Sequence, residues 1–112
     1  MSQNLIEITE QYFKSFSDKD LSGLENMFSK DISLKDWDTN AQGIENVLEI
    51  NKEIFKNLNH ILVTPSRIFN DGNTVIAELE ININNGQQTL LVLDIIEFKK
   101  ENKIIEIRAY KR

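Results

Sequence analysis

The chain contains no cysteine, which excludes disulfides, thiol nucleophiles and thiolate metal sites. A thiol-free chain is compatible with the cytoplasm, the default compartment. Histidine occurs once, at His60, and no Ser–His pair, metal-ligand cluster or glycine-rich phosphate loop can be assembled. No apolar run approaches the ~20 residues of a membrane-spanning helix. Met1-Ser2-Gln3-Asn4 shows no positive region leading into an apolar core, so no signal peptide is expected. Basic residues are in deficit, with 13 Lys and Arg against 18 Asp and Glu and a net charge of −5. That balance argues against nucleic acid, which calls for a concentrated basic surface. The basic end from Arg108 to Arg112 is too brief to suggest an anionic membrane surface. The rest is ordinary: 112 residues, 40% hydrophobic and 28% charged, read as one domain spanning residues 1–112 with one core.

Within this composition one segment is anomalous. Leu90-Leu91-Val92-Leu93-Asp94-Ile95-Ile96-Glu97-Phe98 reads as a strand buried on both faces, interrupted by Asp94. A carboxyl there must pair, accept from a donor, or stay protonated, because desolvation disfavours its charged form. No Lys or Arg is adjacent on its strand, so the protonated state is expected near neutral pH. Groups of this kind cluster at functional sites.

Hydrophobic periodicity supplies the frame. Leu5, Ile8, Tyr12 and Phe16 recur at helical spacing and place Tyr12 on a buried stripe. Asp20 can cap a second helix carrying Leu21, Leu24, Met27 and Phe28. The segment Ile32 to Trp37 alternates as a short strand, putting Asp36 on the apolar face with Ile32 and Leu34, and Trp37 on the other. Gly43 precedes a third helix whose buried face is expected to be Ile44, Val47, Leu48, Ile54, Phe55 and Leu58. Long strands follow at about His60 to Phe69, Thr74 to Ile83, Gln87 to Phe98 and Lys103 to Tyr110. Asn70–Asn73 and Asn84–Gly86 form hairpin turns, and Lys100-Glu101-Asn102 makes the last turn. Pro65 marks an edge strand or a bulge. His60, near the end of the third helix, reads as a cap. Helices first and a strand meander afterwards predict an α+β fold, a cone-shaped curved antiparallel sheet with three helices on its concave face. The helices cannot cover the whole sheet, so the open end of the cone is a ligand pocket or a subunit interface.

From Tyr12 to Tyr110 the chain resembles the nuclear-transport-factor-2-like (cystatin-like) superfamily, in its SnoaL-like and ketosteroid-isomerase-like branch. The likeness rests on Tyr12-Phe13-Lys14-Ser15-Phe16, Lys19-Asp20-Leu21, Met27-Phe28, Asp31 to Asp36, Gly43-Ile44, Leu93 to Phe98 and Arg108-Ala109-Tyr110. The resemblance implies roles. Asp36 falls where the isomerases carry their general base, Tyr12 where the oxyanion-hole tyrosine stands, and Asp94 where a protonated second donor stands. That family is itself a worked example of pKa tuning. Trp37 occupies the place where the isomerases usually have proline.

Moving a proton α to a carbonyl needs a base and donors for the developing enolate oxygen, without a metal or other cofactor. Asp36 as base with Tyr12 and Asp94 as donors would satisfy this, with Trp37, Phe55, Leu79 and Leu91 as substrate-binding residues. Arg67 and Arg108 lie on strands, and spacing alone assembles no Asp–Arg–Asp epoxide-hydrolysis site. Three readings therefore stand: a metal-free isomerase or cyclase acting on a small apolar carbonyl compound, a ligand-binding module without turnover, and a homodimerisation domain with a filled cone. The Ile- and Leu-rich outer face of the sheet predicts a homodimer.

Overall fold

Local signals decide most element boundaries in the computed structural model, which describes residues 4–112. Met1–Gln3, most of the stretch read for a signal peptide, lies outside the described residues. Helix α1 spans Leu5–Ser17 and starts at Asn4, whose side chain accepts from the Ile6 N–H at 2.8 Å. That bond satisfies one of the donors a helix N-terminus leaves open. Of the predicted stripe, Ile8 and Tyr12 are buried and Leu5 and Phe16 half-buried, and Phe13 joins them in the core. Helix α2, Leu21–Met27, is capped as expected by Asp20, which accepts from the Gly23 N–H at 3.0 Å. Strand β1, Phe28–Lys35, begins earlier than expected, because Phe28 is already extended, and it ends at Lys35, short of Asp36 and Trp37. A short strand β2, Asn40–Gln42, was not expected; at this length it carries no alternation to read. Helix α3 is Ile44–Asn57, entered through Gly43 at φ +89, a left-handed conformation that favours glycine.

The four long strands are β3 (Ile61–Asp71), β4 (Thr74–Ile83), β5 (Gln88–Lys99) and β6 (Lys103–Lys111). Together they form one sheet in the order β2-β1-β6-β5-β4-β3. Pro65 lies on the edge strand β3, at the register shift between Pro65 and Arg67, where the missing N–H costs least. One pairing departs from the antiparallel expectation: β1 runs parallel to β6, so the sheet is mixed. The two strands are joined through α3 and four other strands, so no hairpin constrains their direction. His60 does not cap α3. The carbonyls at its end are met by the Lys19 ammonium, which donates to Leu58 O and Asn59 O, while the His60 backbone N–H donates to Asn84 Oδ1.

The helices cover one face of the sheet unequally. α1 packs mainly on β3 and α3 on β1, with α2 between the two helices. A core of Leu24, Ile32, Val75, Ile96 and Ile104, all fully buried, closes the narrow end. The other end, between α1 and α3 over the middle strands, stays open. No helix of the described residues is long and apolar enough to cross a membrane.

Candidate active site

That open end is a cavity of about 180 Å³. Its floor is the inner face of the sheet, with Leu79, Ile81, Leu90, Val92 and Ile107, and its walls are Phe13 and Phe16 from α1, Ile54 from α3 and Leu58 just past the end of α3. Against this apolar lining stand Tyr12, Asp36, Asn51 and Asp94. The three polar residues expected at a site thus converge on one cavity, although they come from α1, the loop after β1, and β5.

Asp94 is 6% exposed. Its neighbours across the sheet are Ala77 on β4 and Ala109 on β6, residues too small to cover its carboxyl. The carboxyl takes no hydrogen bond from another side chain among the described residues, yet no fully enclosed polar atom is left unpaired, so its oxygens open onto the cavity. Burial, and then the negative charge of Asp36, push its pKa up to about 7. At neutral pH the group is therefore poised between donor and acceptor. Tyr12 also lines the cavity, and its hydroxyl is not both fully enclosed and unpaired. Burial foremost, with the Asp94 charge second, raises its pKa, so it remains a phenol and a hydrogen-bond donor. The ring is held among Phe13, Phe16 and Phe28, with centroids 5.4, 6.2 and 6.1 Å away. Such tilted and edge-on packing fixes where the hydroxyl points.

Asp36 is half-buried at the rim. Its Oδ1 accepts from the backbone N–H groups of Asp38 at 2.8 Å and Thr39 at 2.7 Å, and its own N–H donates to Thr39 O. This Asx turn holds the carboxylate by one oxygen and leaves Oδ2 without a hydrogen bond among the described residues. The turn also corrects the expectation that Trp37 faces away from Asp36. Strand alternation stops at Lys35, and both Asp36 and Trp37 border the cavity. Trp37 is 40% exposed, and the Lys111 ammonium lies 5.4 Å from its ring centre, within cation–π range.

Two of the expected substrate contacts need correction. Leu79 lines the cavity, but Leu91 is 42% exposed on the outer face. With Asp94 facing inward, the two-residue period puts Val92 and Leu90 inside and Leu91 outside, a signal present in the sequence. Phe55 is buried, but it stands behind the wall, packed edge-on against Phe16 with centroids 5.0 Å apart. Asn51 was missed. It lies four residues from both Val47 and Phe55, so the helical stripe that marked those two as buried includes it.

Neither strand arginine enters the site. The Arg108 guanidinium donates to Glu97 at 2.6 Å and to Glu106, and Arg67 stands 3.9 Å from Glu78 at the surface. No arginine thus lies between Asp36 and Asp94, and an Asp–Arg–Asp arrangement is not assembled.

Comparison with known proteins agrees with this architecture. A comparison with curated protein sequences finds no match. Solved structures resemble the chain at low sequence identity. An NTF2-like protein of unknown function from Cytophaga hutchinsonii superposes with a TM-score of 0.84 at 12% identity, covering 100% of this chain and 93% of that one. An LEH-like epoxide hydrolase from M. tuberculosis does so at 0.84 and 16%, covering 96% and 82%. A protein with a ketosteroid isomerase-like fold from Catenulispora acidiphila, in complex with trimethylamine, does so at 0.80 and 14%, covering 93% and 84%. Such likenesses establish a shared fold, and this fold hosts several chemistries. The family model for the SnoaL-like domain matches residues 9–107, nearly the whole chain, and the protein belongs to the SnoaL-like family.

Proposed function

We propose that the protein binds a small apolar carbonyl compound in this cavity and moves a proton next to the carbonyl, as an isomerase or cyclase would. The observation that carries the proposal is the convergence of Tyr12, Asp36 and Asp94 on one otherwise apolar space. In this reading the substrate carbonyl oxygen accepts from the Tyr12 phenol and from the protonated form of Asp94. Asp36 Oδ2 takes the α-proton and returns it at a neighbouring position. The two donors meet the charge that develops on oxygen, and being fixed in advance they need no reorganisation as the reaction proceeds. Asp94, with a pKa of about 7, keeps a large protonated fraction at neutral pH. Trp37 at the rim and Leu79 on the floor supply apolar contact.

Volume narrows the substrate. About 180 Å³ is close to the ~150 Å³ of an engineered core cavity that takes up benzene, and below the ~300 Å³ where sites for drug-sized ligands begin. The fit is a single ring or a short branched chain, not a fused polycycle. The presence of this space also favours ligand binding over a cone filled by side chains.

The test is deuterium exchange into cyclohexanone in D₂O, followed by the loss of its α-proton NMR signal. The wild-type chain should accelerate exchange and Asp36→Asn should abolish the acceleration while remaining folded. Exchange no faster than in buffer, with cyclohexanone still shifting resonances of the cavity residues, would replace the enzyme reading with a binding module.

We further propose that two copies pair through the outer face of the sheet. Phe69, Ile76 and Ile95 form one row across β3, β4 and β5, beside the pair Leu93–Tyr110. Phe69 and Tyr110 are each 53% exposed, and an apolar sheet face of this kind is more often an interface than free surface.

A further inference from the structure

Asn51 is the polar side chain of the cavity that proton transfer leaves unused. It is 3% exposed, in the middle of α3, on the wall formed with Ile54 and Leu58. Among the described residues its carboxamide makes no hydrogen bond to Tyr12, to Asp94 or to any other protein group. No polar atom is both fully enclosed and unpaired, so its unbonded Oδ1 and Nδ2 face the cavity. Burying an amide without a partner is unfavourable, and a leucine would fill this position at no such cost. Asn51 reaches the cavity from a different element than the oxyanion donors do. Asp94 rises from the sheet floor and Tyr12 projects from α1, whereas α3 packs on the β1 side of the sheet. The cavity therefore receives polar groups from α1, α3, β5 and the loop after β1.

We propose that Asn51 is a substrate-recognition residue, and that the ligand is a one-ring carbonyl compound bearing a second hydrogen-bonding group, a hydroxyl or a second carbonyl, which the Asn51 carboxamide receives. This rests on the cavity being the ligand site proposed above, and it adds the substrate class. A carboxamide offers both a donor and an acceptor, so it accepts either group without carrying a charge into an apolar space. It also orients the ring. With one oxygen held by Tyr12 and Asp94 and the other by Asn51, a single edge of the ring faces the rim where Asp36 stands.

The test compares affinities for cyclohexanone with those for 3- and 4-hydroxycyclohexanone, by chemical-shift titration of the full, ¹⁵N-labelled chain. The wild type should bind at least one hydroxyketone roughly fivefold more tightly than cyclohexanone, the gain expected of one neutral hydrogen bond. Asn51→Leu should erase that preference, the affinities for the three ketones then lying within about twofold of one another. Asn51→Ala repeats the comparison should the leucine not fit. A preference that survives both substitutions, or no preference in the wild type while cyclohexanone binds, overturns the role of Asn51 alone. If none of the three ketones shifts any cavity resonance, the ligand site itself is refuted, and this inference with it.

Discussion

Asp94→Asn is the substitution whose effect can be worked furthest from the structure. The carboxyl ordinarily titrates at 3.8 and in the folded chain at about 7, so the fold holds its proton more tightly than the unfolded chain does. Below pH 3.8 both states are protonated and the group has no effect on stability. As the pH rises the unfolded chain ionises first, and the wild type loses ~1.36 kcal/mol per pH unit until the folded carboxyl ionises as well, near pH 7. The accumulated loss is roughly 4 kcal/mol, a large part of the ~5–15 kcal/mol by which domains of this size are stable. Asparagine has nearly the same shape, does not titrate, and gives up no protein hydrogen bond here. The variant should match the wild type near pH 4 and exceed it by roughly 4 kcal/mol at pH 8. With a urea dependence of ~1.5 kcal/mol/M, that is a midpoint higher by roughly 2–3 M. Urea denaturation of both proteins at pH 4 and pH 8 measures the difference, and carboxyls common to both cancel. Equal midpoints at pH 8 would mean that Asp94 titrates as an ordinary carboxyl. A variant that loses ground at pH 8 would mean that Asp94 is ionised and paired, and the donor role would fall.

Asp36→Asn removes the second cause of the Asp94 shift, so the Asp94 pKa should drop but stay above 3.8, because burial remains. A ¹³C carboxyl titration reads this, and an unchanged pKa would show that the two carboxyls do not sense one another. Leu93→Glu, placed beside the outer-face row, should convert a sedimenting species of twice 13.0 kDa into one of 13.0 kDa without unfolding; a wild type that sediments only at 13.0 kDa at micromolar concentration defeats the dimer proposal. Gly23→Ala should destabilise by about 1 kcal/mol, the usual value of a lost N-cap. The added Cβ would lie 2.5 Å from Asp20 Oδ2 and 3.0 Å from Ser15 Oγ, driving the Asp20 carboxylate from its capping position. A thermal midpoint equal to the wild type's would show that the cap tolerates the methyl group.

Much of this protein is legible in its sequence because the signals are local. The stripe through Ile8 and Tyr12, the Asp20 cap, the Asn84–Gly86 turn and the lone Pro65 each express a constraint within a few residues, and each element formed where its constraint lies. Asp94 announced itself for the same reason, as a carboxyl in an apolar run. Even the outward aim of Leu91 and the buried place of Asn51 followed from period two and period 3.6, once Asp94 and Val47 were taken as facing inward. Tertiary structure alone decided the rest. The parallel pairing of β1 with β6 joins segments distant in sequence, and no turn links them to fix their direction. The strand leading into Asp36 stops at Lys35 because the carboxyl turns back to bind the Asp38 and Thr39 N–H groups, a competition that alternation does not encode. The pKa of Asp94, the size of the cavity and the meeting of Tyr12, Asp36, Asn51 and Asp94 depend on how α1 and α3 stand over the sheet. They are properties of packed surfaces, and no single segment contains them.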